Sequence, residues 1–186
     1  MTNSTFSFKL SALPLCGNPE RAAAGMERWR KIAHEDIRIS DRASDILQSP
    51  LGYALLESIF GNSPFLGQTL LGSIEFSCNL LEQGPDVTMV SLTNELRREL
   101  KGEKRTAQIM SALRRGKRRV ALTTAIADLT GIWNLTTVTA TLSEFAEFSL
   151  SIATAHVLEC AAEAGEILLD NPAIPERKSG YIVLAM

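Results

Sequence analysis

The sequence predicts a mainly α-helical fold. Three observations carry this. Prolines preceded by capping side chains recur through the first half. Apolar residues at helical spacing follow each of them. The second half holds two long proline-free stretches joined by a short turn that contains Gly131. Together they predict a bundle of at least six helices, two of them long and antiparallel, followed by one apolar strand at residues 181–186.

The helix starts come from cap chemistry. Asn18-Pro19, Ser49-Pro50 and Ser63-Pro64 each place a hydrogen-bond acceptor before a proline. An Asn or Ser side chain accepts from a free N–H of the first turn, and proline at the first helical position has no N–H to leave unpaired. Gly84-Pro85 is a weaker form of the same signal. Helices are therefore expected to begin near residues 19, 50, 64 and 85. Residues 38–48 are expected to form a short helix capped by Ser40.

Apolar spacing supports these placements. After Pro50 come Tyr53, Leu56 and Phe60. After Pro64 one broad stripe runs through Phe65, Leu70, Leu71, Ile74, Cys78 and Leu81. Val87, Val90, Leu92, Leu96 and Leu100 follow Pro85. A stripe of this width faces a core. A long helix is expected over about 103–130, lined by Ile109, Leu113, Val120, Thr124 and Ala127. Asn134 would cap a second over about 135–164, with Val138, Leu142, Phe145, Phe148, Ile152 and Leu158 on its stripe. A short loop between two long helices makes them antiparallel.

The pattern then changes. Residues 169–180 read as a polar, proline-containing linker. Residues 181–186, Tyr-Ile-Val-Leu-Ala-Met, form a continuous apolar run with β-branched members. Such a run suits a strand buried on both faces. It has no partner strand in the sequence, so residues 181–185 are expected to be disordered, to lie in a hydrophobic groove of the helices, or to pair with another copy. The expected layout is an N-terminal segment at 1–48, a helical domain at 49–168, the linker, and the first strand of a second, interrupted domain at 181–186.

Composition narrows the function classes. The chain has 186 residues, 22% of them charged, and a formal net charge of −2. No apolar run approaches the roughly 20 residues that span a bilayer. A membrane partner is therefore not expected, and the protein is read as soluble and cytoplasmic. Cys16, Cys78 and Cys160 are far apart, and no pair has a ligand or redox spacing. They read as three reduced, mostly buried thiols. His34 and His156 sit in no metal-ligand spacing, so no metal site is expected in this chain.

Charge is unevenly placed. Residues 101–120 hold eight Lys and Arg against the single acid Glu103. Residues 121–186 hold eight acids against Arg177 and Lys178. The centre of the basic segment is Arg114, Arg115, Lys117, Arg118 and Arg119. On a helix Arg114 and Arg118 share one face, and Arg115 and Arg119 the next. These five are the candidate contacts for a phosphate or an acidic partner, against the plain alternative of a solvated or acid-paired face. The pI of about 5.8 and the lack of interleaved aromatics argue against nucleic acid. No phosphate loop or nucleophile elbow is present, and the acid pairs Asp41/Asp45 and Glu144/Glu147 read as solvated helix faces rather than general acid-base groups, so no residue of this chain is assigned a catalytic role.

Residues 110–148 carry a family likeness. They read MSALRRGKRRVALTTAIADLTGIWNLTTVTATLSEFAEF. This resembles a signature of the bacterial bifunctional glutamine synthetase adenylyltransferase/adenylyl-removing enzymes, with its "LRRxKRR" helix, then "IALADLxG" and "LSdfAd". Ser63-Pro64-Phe65-Leu66 resembles the family's "SPyL" helix start. Residues 80–85 resemble its "LLeeGP", and residues 179–186 its "sGfxVLAM". The likeness covers roughly residues 50–186. The chain departs from many relatives at Val120, where they place an acid after the basic run.

The resemblance implies a parent enzyme that adenylylates glutamine synthetase with ATP and removes the AMP by phosphorolysis, with Mg²⁺ held by a Ser-Asp-x-Asp core. By this resemblance residues 181–186 would be the first strand of that α/β nucleotidyltransferase core, and its metal ligands would lie past Met186. No Mg²⁺ or ATP is therefore expected on this chain, which is expected to be inactive alone. The implied partners are glutamine synthetase and a nitrogen-signalling regulatory protein. The alternative is a stand-alone helical adaptor that binds an acidic protein or a nucleotide through its basic helix.

Overall fold

A computed structural model describes residues 5–183. Among them lie eight α-helices and a short 3-10 turn at Leu10–Ala12. In chain order the helices are α1 (Pro19–His34), α2 (Ile37–Gln48), α3 (Pro50–Asn62), α4 (Pro64–Gly72), α5 (Ile74–Gln83), α6 (Pro85–Leu100), α7 (Thr106–Leu129) and α8 (Leu135–Glu163).

The helix starts follow the cap chemistry. Asn18 Oδ1 accepts from the Arg21 N–H at 2.8 Å, and Asn134 Oδ1 from Thr137 at 2.9 Å. Ser49 and Ser63 do the same for α3 and α4 through Gly52 and Leu66. At Gly84 φ is +83°, a conformation that favours glycine, and this one residue ends α5 and begins α6. Helix α2 is capped by Asp36, which accepts from the Arg38 N–H at 3.0 Å. Ser40, the expected cap, lies inside that helix. Asp36, four residues earlier, is as good an acceptor, and Ile37 then adds another apolar position to the helix.

The stripe expected to form one helix from residue 64 to 81 is broken. Ser73 takes φ −150° and ψ 60°, which separates α4 from α5. Gly72-Ser73 is a weak helical pair: glycine has the larger backbone entropy cost, and serine competes for backbone hydrogen bonds. Ser77 repairs the break, because its buried hydroxyl donates to the Leu70 carbonyl at 2.9 Å. That carbonyl would otherwise be orphaned at a helix end.

The core sits where α1–α5 meet and continues between α6 and α7. Trp29 is fully buried and its indole N–H donates to the Ala43 carbonyl at 3.2 Å. Around it lie Ile46, Leu55, Leu56, Ile59 and Leu80. Helices α1 and α3 approach closely because Gly25 has no side chain. A Cβ there would stand 2.4 Å from Cγ of Phe60. Arg21 on α1 donates to the Phe60 carbonyl at 3.0 Å and to that of Gly61, closing the C-terminal end of α3. Arg42 bridges α2 to α5, with Nε 2.9 Å from Glu82 Oε1. Trp133 in the α7–α8 turn donates to Asp86 at 2.7 Å, which ties that turn to the first turn of α6.

Helices α7 and α8 run antiparallel. Lys104, just before α7, meets Glu163 at the end of α8 at 3.3 Å. Thr106 Oγ1 lies 2.8 Å from His156 Nε2. Further along, Gly116 lies against Phe145 and Leu96.

The expected C-terminal strand is not present. Tyr181, Ile182 and Val183 form no strand, no strand exists among the described residues, and residues 184–186 lie outside them. A strand is a ladder between neighbours, and no second extended segment offers one. The Tyr181 N–H donates to Ser179 Oγ instead, at 3.1 Å. Tyr181 and Val183 share a cleft with Leu150, Val157 and Leu158 of α8. Tyr181, Ile182 and Val183 all remain exposed there, neither paired in a sheet nor buried under the helix.

Candidate functional site

The basic run lies on the middle of α7, and the structure divides it. Arg115 pairs with Glu99 of α6. Arg119 pairs with Glu95 of α6 at 3.1 Å, and its guanidinium carbon sits 4.9 Å above the Phe76 ring. Glu95 and Glu99 are four apart, like Arg115 and Arg119, so two antiparallel helices match acid to base turn by turn. Arg114, Lys117 and Arg118 are exposed and have no ion pair or hydrogen bond with any described residue.

The side chains of Arg115 and Arg118 do converge. They line a cavity of about 280 Å³ with Phe65, Gln68, Thr69, Gly72 and Ser73. The first four of those, at i, i+3, i+4 and i+7, are one face of α4. The α4 wall was not identified from sequence, since only the fold brings it beside the arginines. The Glu95/Glu99 spacing was a usable signal for the acid partners.

Helix α8 presents a second surface. Of its side chains only His156 is buried. Leu135 is 75% exposed and Val157 64%. The helix carries Glu144, Glu147, Glu159 and Glu163 and no Lys or Arg. A helix this apolar with an open outer face is a contact surface in search of cover.

The thiols do not behave alike. Cys78 is buried, and burial pushes its pKa up to about 12, so it stays protonated at neutral pH. Cys16 is half-buried, and Cys160 is exposed with Sγ 3.6 Å from His156 Nε2. The expectation of mostly buried thiols holds for Cys78 alone. Sequence reading treated His156 and Cys160 as isolated, although their i, i+4 spacing on a helix brings them together. Glu103, ahead of α7, is held down to about 2 by its hydrogen bonds from Arg105. Among the described residues no three His, Cys, Asp or Glu side chains gather closely enough to hold a metal ion. No described helix is long and apolar enough to cross a membrane.

The chain is a helical body with a groove lined by Arg115 and Arg118 and a long helix, α8, open on its outer face. Its family is given by comparison with known proteins. Residues 53–186 match the family described as glutamate-ammonia ligase adenylyltransferase, and the chain belongs to that family. It is similar to the bifunctional glutamine synthetase adenylyltransferase/adenylyl-removing enzyme of Bradyrhizobium diazoefficiens, 34% identical over 86% of this chain and 16% of the relative. The protein of the same name from Rhodopseudomonas palustris (strain ATCC BAA-98 / CGA009) is 34% identical over 100% of this chain and 19% of its own length. That of Agrobacterium fabrum reaches 46% identity over 42% of this chain and 8% of its own. The chain thus spans less than a fifth of the length of these relatives. No solved structure matches it.

Proposed function

We propose that this chain is the helical region that supports the adenylyl-removing core of a bifunctional enzyme. That enzyme adenylylates glutamine synthetase with ATP and removes the AMP by phosphorolysis, under the control of a nitrogen-signalling protein in the cytoplasm. The observation that carries the reading is the family match over residues 53–186. The open face of α8 supports it. A supporting domain needs a rigid body on one side and an uncovered apolar surface on the other. The α1–α7 body supplies the first, and Leu150, Val157 and their neighbours the second.

In this reading the occupant of the α8 face is the nucleotidyltransferase core of the parent enzyme. Four acids and no Lys or Arg along α8 favour a surface that is apolar at its centre and basic at its rim. Mg²⁺ and ATP belong to that core. The described residues of this chain supply no converging carboxylates, so no catalytic step is assigned to them.

The test is direct. Incubate the 186-residue chain with AMP-modified glutamine synthetase, phosphate and Mg²⁺, and follow ADP release. The chain alone is expected to give no turnover above a metal-chelated control. A longer chain carrying the Ser-Asp-x-Asp core is expected to restore it. Turnover by the short chain overturns the proposal.

A further inference from the structure

We infer that the groove between α4 and α7 is a binding site for a phosphate group. It stands without the adenylyl-removing reading, because it rests on side chains of these two helices alone. The groove is lined by Arg115, Arg118, Phe65, Gln68, Thr69 and Ser73.

The charge is available. Arg118 is exposed and has no acidic partner among the described residues. Arg115 is engaged through one nitrogen with Glu99, which leaves the rest of its planar fork free. Three residues apart on α7, the two arginines lie on one side of the helix. Planar guanidinium forks match the geometry of phosphate oxygens, and their charge does not depend on pH in the working range.

Neutral donors complete the groove. The Gln68 amide and the Ser73 hydroxyl have no hydrogen-bond partner among the described residues. The side chain of Ser73 does not cap α5, unlike those of Ser49 and Ser63 on their helices. Unengaged donors beside two guanidinium groups suit an acceptor-rich anion. Gly72 keeps the groove open, since a Cβ built there meets nothing within 4 Å. At about 280 Å³ the space exceeds what a bare oxyanion fills. Phe65 lines the groove and is 55% exposed, which makes its aromatic ring available to a flat base. The phosphate has two possible sources, free phosphate or a nucleoside monophosphate.

The experiment titrates the 186-residue chain with inorganic phosphate, AMP and adenosine, read by calorimetry and by ³¹P line broadening. Phosphate and AMP are expected to bind saturably, and adenosine alone not to. R118Q should weaken both anions at least tenfold. K117Q removes the same charge from the same helix outside the groove and should change them less than twofold. G72L fills the groove without altering charge and should abolish binding, with circular dichroism confirming the helical fold. AMP binding tighter than phosphate, with the difference erased by F65A, assigns the site to a nucleotide. Equal affinities, unmoved by F65A, assign it to free phosphate. Absence of saturable anion binding, or equal losses in R118Q and K117Q, overturns the proposal.

Discussion

Helices α7 and α8 lie side by side, are both long, and are connected by a short turn, yet their burial is opposite. α7 buries Ile109, Ala112, Gly116, Val120, Leu122, Thr123, Thr124, Ile126 and Ala127. α8 buries only His156. Their composition would suggest the reverse, since α7 carries the basic run and α8 no Lys or Arg at all. Neighbours explain the difference. α7 packs on α4, α6 and α8, and its arginines are neutralised or turned outward. α8 packs on α7 along one side, meets Arg97 of α6 through Phe148, and leaves Leu135, Leu142, Leu150 and Val157 exposed. Amphipathic patterning reports burial in the finished assembly, so an apolar helix left open marks a surface that meets something further.

The largest effect expected from this contrast is on stability. Ile126→Ala removes a fully buried side chain, and large-to-small changes in a core cost about 2–5 kcal/mol. Val157→Ala on the outer side of α8 should cost less than about 0.5 kcal/mol, as surface changes usually do. Denaturant unfolding of both variants checks the pair. Equal losses would show that α8 is integral to the core. In a longer chain that covers α8, the Val157 cost should rise while the Ile126 cost stays the same.

How much of this was legible in the sequence depends on how local the physics is. A cap and a proline act within one turn, so the starts at Pro19, Pro50, Pro64 and Pro85 could be read directly. The Gly72-Ser73 break could not, because the apolar stripe continues across it and the repair by Ser77 is a tertiary detail. The strand expected at residues 181–186 does not form over 181–183 because a strand needs a neighbouring ladder, which apolar and β-branched residue types alone cannot report; all three side chains stay exposed. The basic run was legible as a cluster, but its division was not. Glu95 and Glu99 select Arg115 and Arg119 only once α6 and α7 are packed, and the α4 wall of the groove needs the same packing.

A smaller effect is expected at the one place where both long helices and α6 converge. Gly116 faces Leu96 Cδ1, which a Cβ would meet at 2.7 Å, and Phe145, at 3.3 Å. Leu96 is buried and can yield only slightly. Alanine would gain helix propensity of up to about 1 kcal/mol and offset part of the clash. Gly116→Val adds two further carbons and should destabilise by about 1–3 kcal/mol, the usual cost of overpacking. Because the wedge stands between α7 and α8, the loss should appear first as faster amide exchange in α8. Uniform exchange through all helices would mean that α8 does not open separately.

The smallest effect separates two ion pairs, one on each side of α7. Arg119 faces α6: its side chain is 19% exposed, it pairs with Glu95, and it lies over the Phe76 ring. Lys104 faces α8: it and Glu163 are 72% and 66% exposed. A desolvated cation–ring contact contributes about 1–2 kcal/mol, whereas an exposed pair contributes about 0–1. One factor works against Arg119, since its Nε is buried without a hydrogen-bond partner. Arg119→Ala should therefore cost about 1 kcal/mol, and the cost should persist at high salt because water is largely excluded from the contact. Lys104→Ala should cost less than about 0.5 kcal/mol, and that remainder should vanish in 1 M salt, where the screening length falls to about 3 Å. Unfolding midpoints of both variants at low and high salt measure the difference. A salt-sensitive Arg119 would return it to the exposed part of the run, beside Arg114 and Arg118. A salt-resistant Lys104 would mean that α8 is held to α7 by a pair shielded from solvent, and the contrast in burial between the two helices would then be smaller in solution than their side-chain exposure implies.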